Sequence, residues 1–200
     1  MPVFTVLTVC TGNICRSPLA ALVLRMRLAD LGAAVESAGT RGLPDAAMPE
    51  EAVQLAVEAG VPATAAAAHR SRFLTEQHLA APDLILAMTR DHRREIAELA
   101  PTRLRSTFTV REFARLQAEF SDDELRRAAD AGGADAGARV RAMAASVAGA
   151  RGVVLGPAEP ADDDVIDPFG RSRETYQRSG EQLMPALDGV TRALRLSVAP

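Results

Sequence analysis

The 200-residue chain contains no lysine and no tryptophan, a single tyrosine and only two cysteines. The cysteines, Cys10 and Cys15, lie in one short segment, which excludes a disulfide scaffold and a cysteine zinc site. The three histidines, His69, His78 and His92, are spaced nine and fourteen residues apart. No i, i+4 pair of imidazoles can therefore form on a helix, so no metal is expected, and no other cofactor is implied. Apolar runs stay well short of the roughly 20 residues a bilayer-spanning helix needs, and no basic segment precedes a signal-like apolar one. With lysine missing, all 23 cationic side chains are arginine; against 26 acidic ones they leave a formal charge of -3. That balance makes no electrostatic case for nucleic acid or for a membrane surface. The arginine and alanine bias reads as the mark of a GC-rich genome and not of a function. Two thiols outside any scaffold suit a reducing cytoplasm.

What is present is concentrated in Val9-Cys10-Thr11-Gly12-Asn13-Ile14-Cys15-Arg16-Ser17-Pro18. The preceding run Val3-Phe4-Thr5-Val6-Leu7-Thr8-Val9 is apolar and β-branched, as in a buried strand. Ser17 can cap a following helix and Pro18 suits its first turn. A loop between a strand end and a helix start offers free N–H groups and a helix dipole to an oxyanion. Cys10 is thus placed as a nucleophile, and an adjacent guanidinium and helix N-terminus favour its thiolate form. Arg16, separated from Cys10 by five residues, offers a planar fork for two phosphoryl oxygens. Thr11, Gly12, Asn13, Ile14, Cys15, Arg16 and Ser17 would together wrap a phosphate. In that arrangement Gly12 permits close backbone approach, Asn13 takes a left-handed conformation and braces the loop, and Ser17 steadies the sulfur when it leaves. Cys15 is the one other thiol able to resolve an oxidised Cys10.

Along the chain, strand and helix signals alternate, which predicts a parallel sheet with helices on both faces. Strands are expected near 3–9, 34–38, 83–88 and 105–110, and helices near 17–31, 49–59, 91–99 and 172–196. Gly32 and Gly60 close the first two helices and Pro101 stops the third. In such a doubly wound α/β fold, ligands bind beyond the carboxyl ends of the strands, where the Cys10 loop lies. The length fits one domain spanning residues 1–200.

The Cys10–Arg16 run resembles the signature of the low-molecular-weight protein tyrosine phosphatases. Further segments are similar in family order: Ser37-Ala38-Gly39-Thr40, His69-Arg70-Ser71-Arg72 with Leu74-Thr75, Asp83-Leu84-Ile85-Leu86-Ala87-Met88, and Asp167-Pro168-Phe169-Gly170. The resemblance implies a four-stranded doubly wound domain that hydrolyses protein phosphotyrosine through a phosphocysteine. It assigns Asp167 as general acid, with Asn13, Ser17 and Ser37 as supports, and His69 as a brace in its loop. Its partner would be a tyrosine-phosphorylated protein, with the enzyme a monomer or weak dimer. Ile14 stands where tyrosine-specific members carry an aliphatic residue and phosphoarginine-specific ones carry threonine. Ile14, Leu43 and Phe169 are the expected substrate walls.

The chain departs from the pattern in three places. Arg41-Gly42-Leu43-Pro44 lacks the aromatic wall of eukaryotic relatives, and Thr89 replaces a common aspartate. Residues 111–161 form an inserted helical segment ahead of the Asp-Pro loop, read as a surface addition; Ser121 and Glu124 fit a capping box there, with Gly132-Gly133 as a break. Asp162-Asp163-Asp164 is read as a solvated loop, His78 and His92 as helix-surface residues, and Tyr176 as a packed helix tyrosine. The alternatives are a protein-arginine phosphatase or an arsenate reductase on the same fold. The latter is disfavoured because that chemistry usually draws on further cysteines. A non-catalytic phosphate-binding module is disfavoured because Cys10, Arg16 and Asp167 are all present.

Overall fold

The computed structural model describes residues 3–42 and 44–198. Four parallel strands, β1 (Phe4–Cys10), β2 (Ala33–Gly39), β3 (Leu84–Ala87) and β4 (Thr107–Thr109), form a sheet in the order β2-β1-β3-β4. The chain steps outward from β1 to β2 and then returns to the other side of β1, so the switch point lies between β1 and β3.

Strand periodicity decides what each face buries. On β1 and β3, Phe4, Val6, Leu84 and Leu86 point into one core and Leu7, Val9, Ile85 and Ala87 into another. Helices α1 (Arg16–Arg27) and α2 (Glu50–Glu58) belong to the first core, as does the short α3 (Ala63–Ala67) through Ala66. The second core is closed by Leu74, by Leu79 of α4 (Glu76–Ala80) and by Ile96 of α5 (Arg90–Leu99). Helices therefore cover both faces of the parallel sheet, the expected doubly wound architecture. The five-residue helices α3 and α4 were not foreseen, because one turn and a half carries too little periodicity.

β4 is shorter than the expected 105–110 because local side-chain bonds claim both flanks. Pro101–Ser106 is a 3-10 turn in which Ser106 Oγ and Thr107 Oγ1 donate to Arg103 O at 3.1 and 2.8 Å. Thr109 leaves the strand to form a capping box with Glu112 at the start of α6 (Val110–Ala118).

Beyond α6 come α7 (Asp122–Asp130), α8 (Ala136–Gly149) and the long C-terminal α9 (Arg173–Val198). Ser121 caps α7 in a box with Glu124. The reading of 111–161 as a surface addition is corrected: Phe113, Leu116, Leu125, Val140, Met143 and Val147 are fully buried in the first core with α1 and α9. Amphipathic spacing hidden in an alanine-rich composition lets these helices pack closely, so they complete the sheet face. Among the described residues, no helix is long and apolar enough to cross a membrane.

Candidate active site

β1 ends at Cys10, and the chain from Thr11 to Cys15 curls beyond the carboxyl end of this interior strand into α1, whose N-cap is Cys15. Ser17 is therefore inside the first helical turn and does not cap it. Its hydroxyl serves the loop instead: Asn13 Nδ2 donates to Ser17 Oγ at 2.9 Å, and Ser17 Oγ lies 3.0 Å from Cys10 Sγ. With Asn13 as donor, Ser17 has its own proton available for the sulfur. The Asn13 main-chain N–H reaches the same sulfur at 3.3 Å. Thr8 Oγ1 donates to Ser17 O at 2.8 Å, which ties β1 to this turn of α1.

Asn13 adopts φ 54°, the left-handed conformation its short amide tolerates. Two neighbours hold it there: Asn13 Oδ1 accepts from Arg72 N at 3.0 Å, and Asn13 O accepts from His69 Nε2 at 2.7 Å. Burial holds the His69 imidazole below its ordinary pKa, in keeping with a neutral donor. The glycine that the loop needs most is Gly39 of β2, because a Cβ there would lie 2.5 Å from Thr11 O and 2.9 Å from Asn13 N. Gly12, expected to have that role, would meet nothing closer than Ile14 Cγ1 at 3.4 Å. Ser37 is buried on β2, but its described hydrogen bond is through its carbonyl, to Arg72 Nε at 2.7 Å. It makes no described bond to the Cys10 loop.

Arg16 is buried, and its Nη1 donates to Val165 O at 3.0 Å while Nη2 reaches Thr11 Oγ1 at 3.4 Å and Asp167 Oδ2 at 2.7 Å. Its Nε has no hydrogen-bond partner among the described residues. Asp167 is half exposed, with its carboxylate also accepting from Phe169 N at 3.2 Å. Cys10, Thr11, Gly12, Ile14, Cys15 and Arg16 form the floor of a pocket of about 200 Å³, with Arg41, Asp167 and Phe169 at its walls. Phe169 is 56% exposed, so it is a wall and not core. Leu43, the third expected wall, lies outside the described residues.

The acidic run before Asp167 is not a solvated loop. Asp163 pairs with Arg115 of α6 at 2.9 Å, and Asp164 accepts from Arg90 N at 2.8 Å and pairs with its guanidinium. Thr109 Oγ1 donates to Asp163 O, Arg111 Nη1 to Asp164 O and Val165 N to Met88 O. The stretch leading to Asp167 is thereby stapled to β3, α5 and α6.

His92 is the largest correction. Expected on a helix surface, it is 5% exposed in the first turn of α5, with Nε2 2.8 Å from Thr11 Oγ1 and Nδ1 2.9 Å from Thr89 Oγ1. Burial, with the nearby Arg16 charge, pushes its pKa down to about 4. Both cysteines are free thiols, and Cys15 Sγ lies 3.8 Å from the hydroxyl of buried Tyr176. Burial pushes the Cys15 thiol up to about 12, so Cys15 is a poor attacking thiol for the expected resolving role.

A thiol and a buried guanidinium facing one pocket, on a loop between a parallel strand and a helix at the switch point, define a cysteine-dependent phosphatase. The sequence model of the low molecular weight phosphotyrosine protein phosphatase family matches residues 5–124, and the chain belongs to that family. It is 28% identical over 192 residues to a protein-arginine-phosphatase of Geobacillus stearothermophilus, covering 96% of this chain and 97% of the relative. It is 40% identical over 97 residues to the low molecular weight protein-tyrosine-phosphatase Etp of Escherichia coli K12, covering 48% of this chain and 62% of that one. Among solved structures, a cysteine-to-serine variant of the arginine phosphatase YwlE with a phosphorylated active-site serine superposes with a TM-score of 0.65 at 25% identity, covering 96% of each chain.

Proposed function

We propose that the protein hydrolyses phosphotyrosine in proteins, with Cys10 as nucleophile, Arg16 as phosphate clamp and Asp167 as general acid. The observation that carries the mechanism is the Cys10 sulfur, held by Ser17 Oγ and Asn13 N in the same pocket as a buried guanidinium whose Nε has no partner among the described residues. A phosphoryl oxygen supplies that Nε with an acceptor. The Cys10 thiolate attacks phosphorus in line, the P–S bond forms as the P–O bond to the leaving group breaks, and Asp167 gives its proton to the departing oxygen. Water then attacks the phosphocysteine, Asp167 takes a proton from it, and the sulfur leaves as thiolate beside the Ser17 hydroxyl. The phosphorylated serine of the YwlE variant supports covalent transfer to a cysteine in this fold.

The aryl substrate is favoured by the walls. Ile14 and Phe169 are apolar, and Arg41 adds a cation where a phosphoarginine substrate would bring a second one. Among the described residues, the one carboxylate on the pocket, Asp167, is already paired with Arg16. A phosphoarginine substrate is the second reading, favoured by the similarity to the arginine phosphatase over nearly the whole of both chains. Parallel kinetics on matched phosphotyrosine, phosphoarginine and phosphoserine peptides decide the matter. The account expects the phosphotyrosine peptide to have the highest kcat/KM; a higher value for the phosphoarginine peptide assigns the second reading.

A further inference from the structure

The three hydroxyl and imidazole groups of Thr89, His92 and Thr11 form a line that runs from the start of α5 to the floor of the pocket. Thr89 Oγ1 accepts the His92 main-chain N–H at 3.3 Å as the N-cap of α5 and lies 2.9 Å from His92 Nδ1. His92 Nε2 lies 2.8 Å from Thr11 Oγ1, on which Arg16 Nη2 also converges at 3.4 Å. Arg16 can only donate, so one acceptor site of the Thr11 oxygen is taken by the guanidinium. The remaining question is the direction of the His92–Thr11 bond. With the Thr89 proton turned to Nδ1, Thr89 accepts once and donates once, and the imidazole proton then resides on Nε2. Thr11 Oγ1 then accepts from both His92 and Arg16, and its single proton is left to point at the pocket. In the opposite tautomer that proton would be consumed by Nε2 and the pocket would lose a donor.

We propose that His92 is a positioning residue whose Nε2–H orients the Thr11 hydroxyl so that it donates a hydrogen bond to a phosphoryl oxygen held on the loop. The proposal rests on the reading of the pocket as a phosphate site. His92 touches neither substrate nor sulfur; it acts through Thr11. Its burial keeps the imidazole neutral near pH 7, so one ring nitrogen donates and the other accepts, with Nε2 taken as the donor and Nδ1 as the acceptor of the Thr89 proton. A hydroxyl at position 89 suits that role, since an ionised carboxylate there could not donate to Nδ1.

The test compares Thr11→Val, Thr11→Ser, His92→Phe, His92→Gln and the double variant Thr11→Val/His92→Phe. Binding of inorganic phosphate is measured by calorimetry and hydrolysis of an aryl phosphate by steady-state kinetics, with thermal unfolding as a control. Thr11→Val and His92→Phe are each expected to weaken phosphate binding and lower kcat/KM about tenfold to hundredfold, the effect of one hydrogen bond to a charged group. Thr11→Ser and His92→Gln, which keep the hydroxyl and a donor near the Nε2 position, recover most of that loss. The double variant is no worse than the weaker single one, because both remove the same bond. Nitrogen-15 spectra of histidine-labelled protein at pH 7 show His92 protonated at Nε2. Parent-like phosphate affinity in His92→Phe, multiplicative losses in the double variant, no recovery in His92→Gln, or protonation at Nδ1 each overturn the inference while leaving the phosphatase reading intact. Turnover by Cys10→Ser, or absence of phosphate binding by the parent protein, overturns the phosphatase reading itself and the inference with it.

Discussion

The Cys10 loop and the stretch leading to Asp167 serve one pocket, yet they are held by different kinds of interaction. The loop is held by neutral hydrogen bonds, some within it, Cys10 to Ser17 and Asn13 to Ser17, and some from His69, Arg72 N and His92, with Gly39 pressed against Thr11. The Asp167 approach is held by ion pairs, with Arg90 and Arg115 gripping Asp164 and Asp163. A nucleophile and an anion clamp need tight preorganisation. Asp167, the proposed acid, sits half exposed at the end of a stapled segment. The loop is thus a preorganised cradle, and the proposed acid is an exposed group on a tethered base.

The comparison breaks most directly at Arg16. Arg16→Lys is expected to lower kcat/KM by roughly two to three orders of magnitude, because a single ammonium cannot bridge Val165 O, Thr11 and two phosphoryl oxygens at once. Steady-state kinetics with an aryl phosphate check it, and near-parental values would remove the guanidinium from the clamp. Comparable in size, Asp167→Asn should slow phosphoenzyme formation by about two to three orders of magnitude for a poor leaving group and far less for a good one. Equal losses on both would make Asp167 a structural residue.

The staples themselves are tested by Arg115→Met, which keeps the length of the side chain and leaves Asp163 without its partner. A loss of about 2–3 kcal/mol in urea unfolding is expected, below that of a fully buried pair because Arg115 is partly exposed. Activity should fall less than tenfold if the segment is a base and not a catalytic element. A larger fall in kcat than in stability would join the staples to the chemistry.

How much of this was legible beforehand follows the same division. Cys10, Arg16, Asn13 and Ser17 could be read because their meaning is local: residue type, spacing, and a strand before and a helix after. The parallel sheet was legible for the same reason, through alternating apolar runs. The second half was not, since an aspartate in Asp162-Asp163-Asp164 looks solvated until Arg90 and Arg115 are brought to it by the fold. His92 likewise sits in a charged helix, Arg90-Asp91-His92-Arg93-Arg94, whose composition speaks of solvent. The cue was its position three residues after Thr89, a helix-cap spacing that aims an imidazole back at the strand ends. Gly39 lies in a family-like segment, but its need to be glycine arises from the loop laid across it.

The smallest expected effect is on pH dependence. His92 titrates near 6.5 when unfolded and near 4 when folded, because burial opposes its charge. Between those values the unfolded chain binds more protons, so the contribution is present above pH 6.5 and is lost as pH falls toward 4, by up to about 3 kcal/mol. Urea unfolding from pH 7.5 to 4.5 should show that decline, and His92→Gln should flatten it. An unchanged slope in the variant would place the pH dependence in other groups, with half-buried His69, shifted the same way, the first to examine.

The central claim is that the local cradle makes Cys10 a covalent carrier of phosphate. The most direct measurement is rapid-quench mass spectrometry of Asp167→Asn enzyme mixed with an aryl phosphate that has a good leaving group, where the second step is slowed and the adduct accumulates. The account predicts a phosphoryl group on the peptide carrying Cys10, formed in a burst and absent in Cys10→Ala/Asp167→Asn. Turnover with no adduct on Cys10, undiminished when Cys10 is replaced by serine, would contradict it.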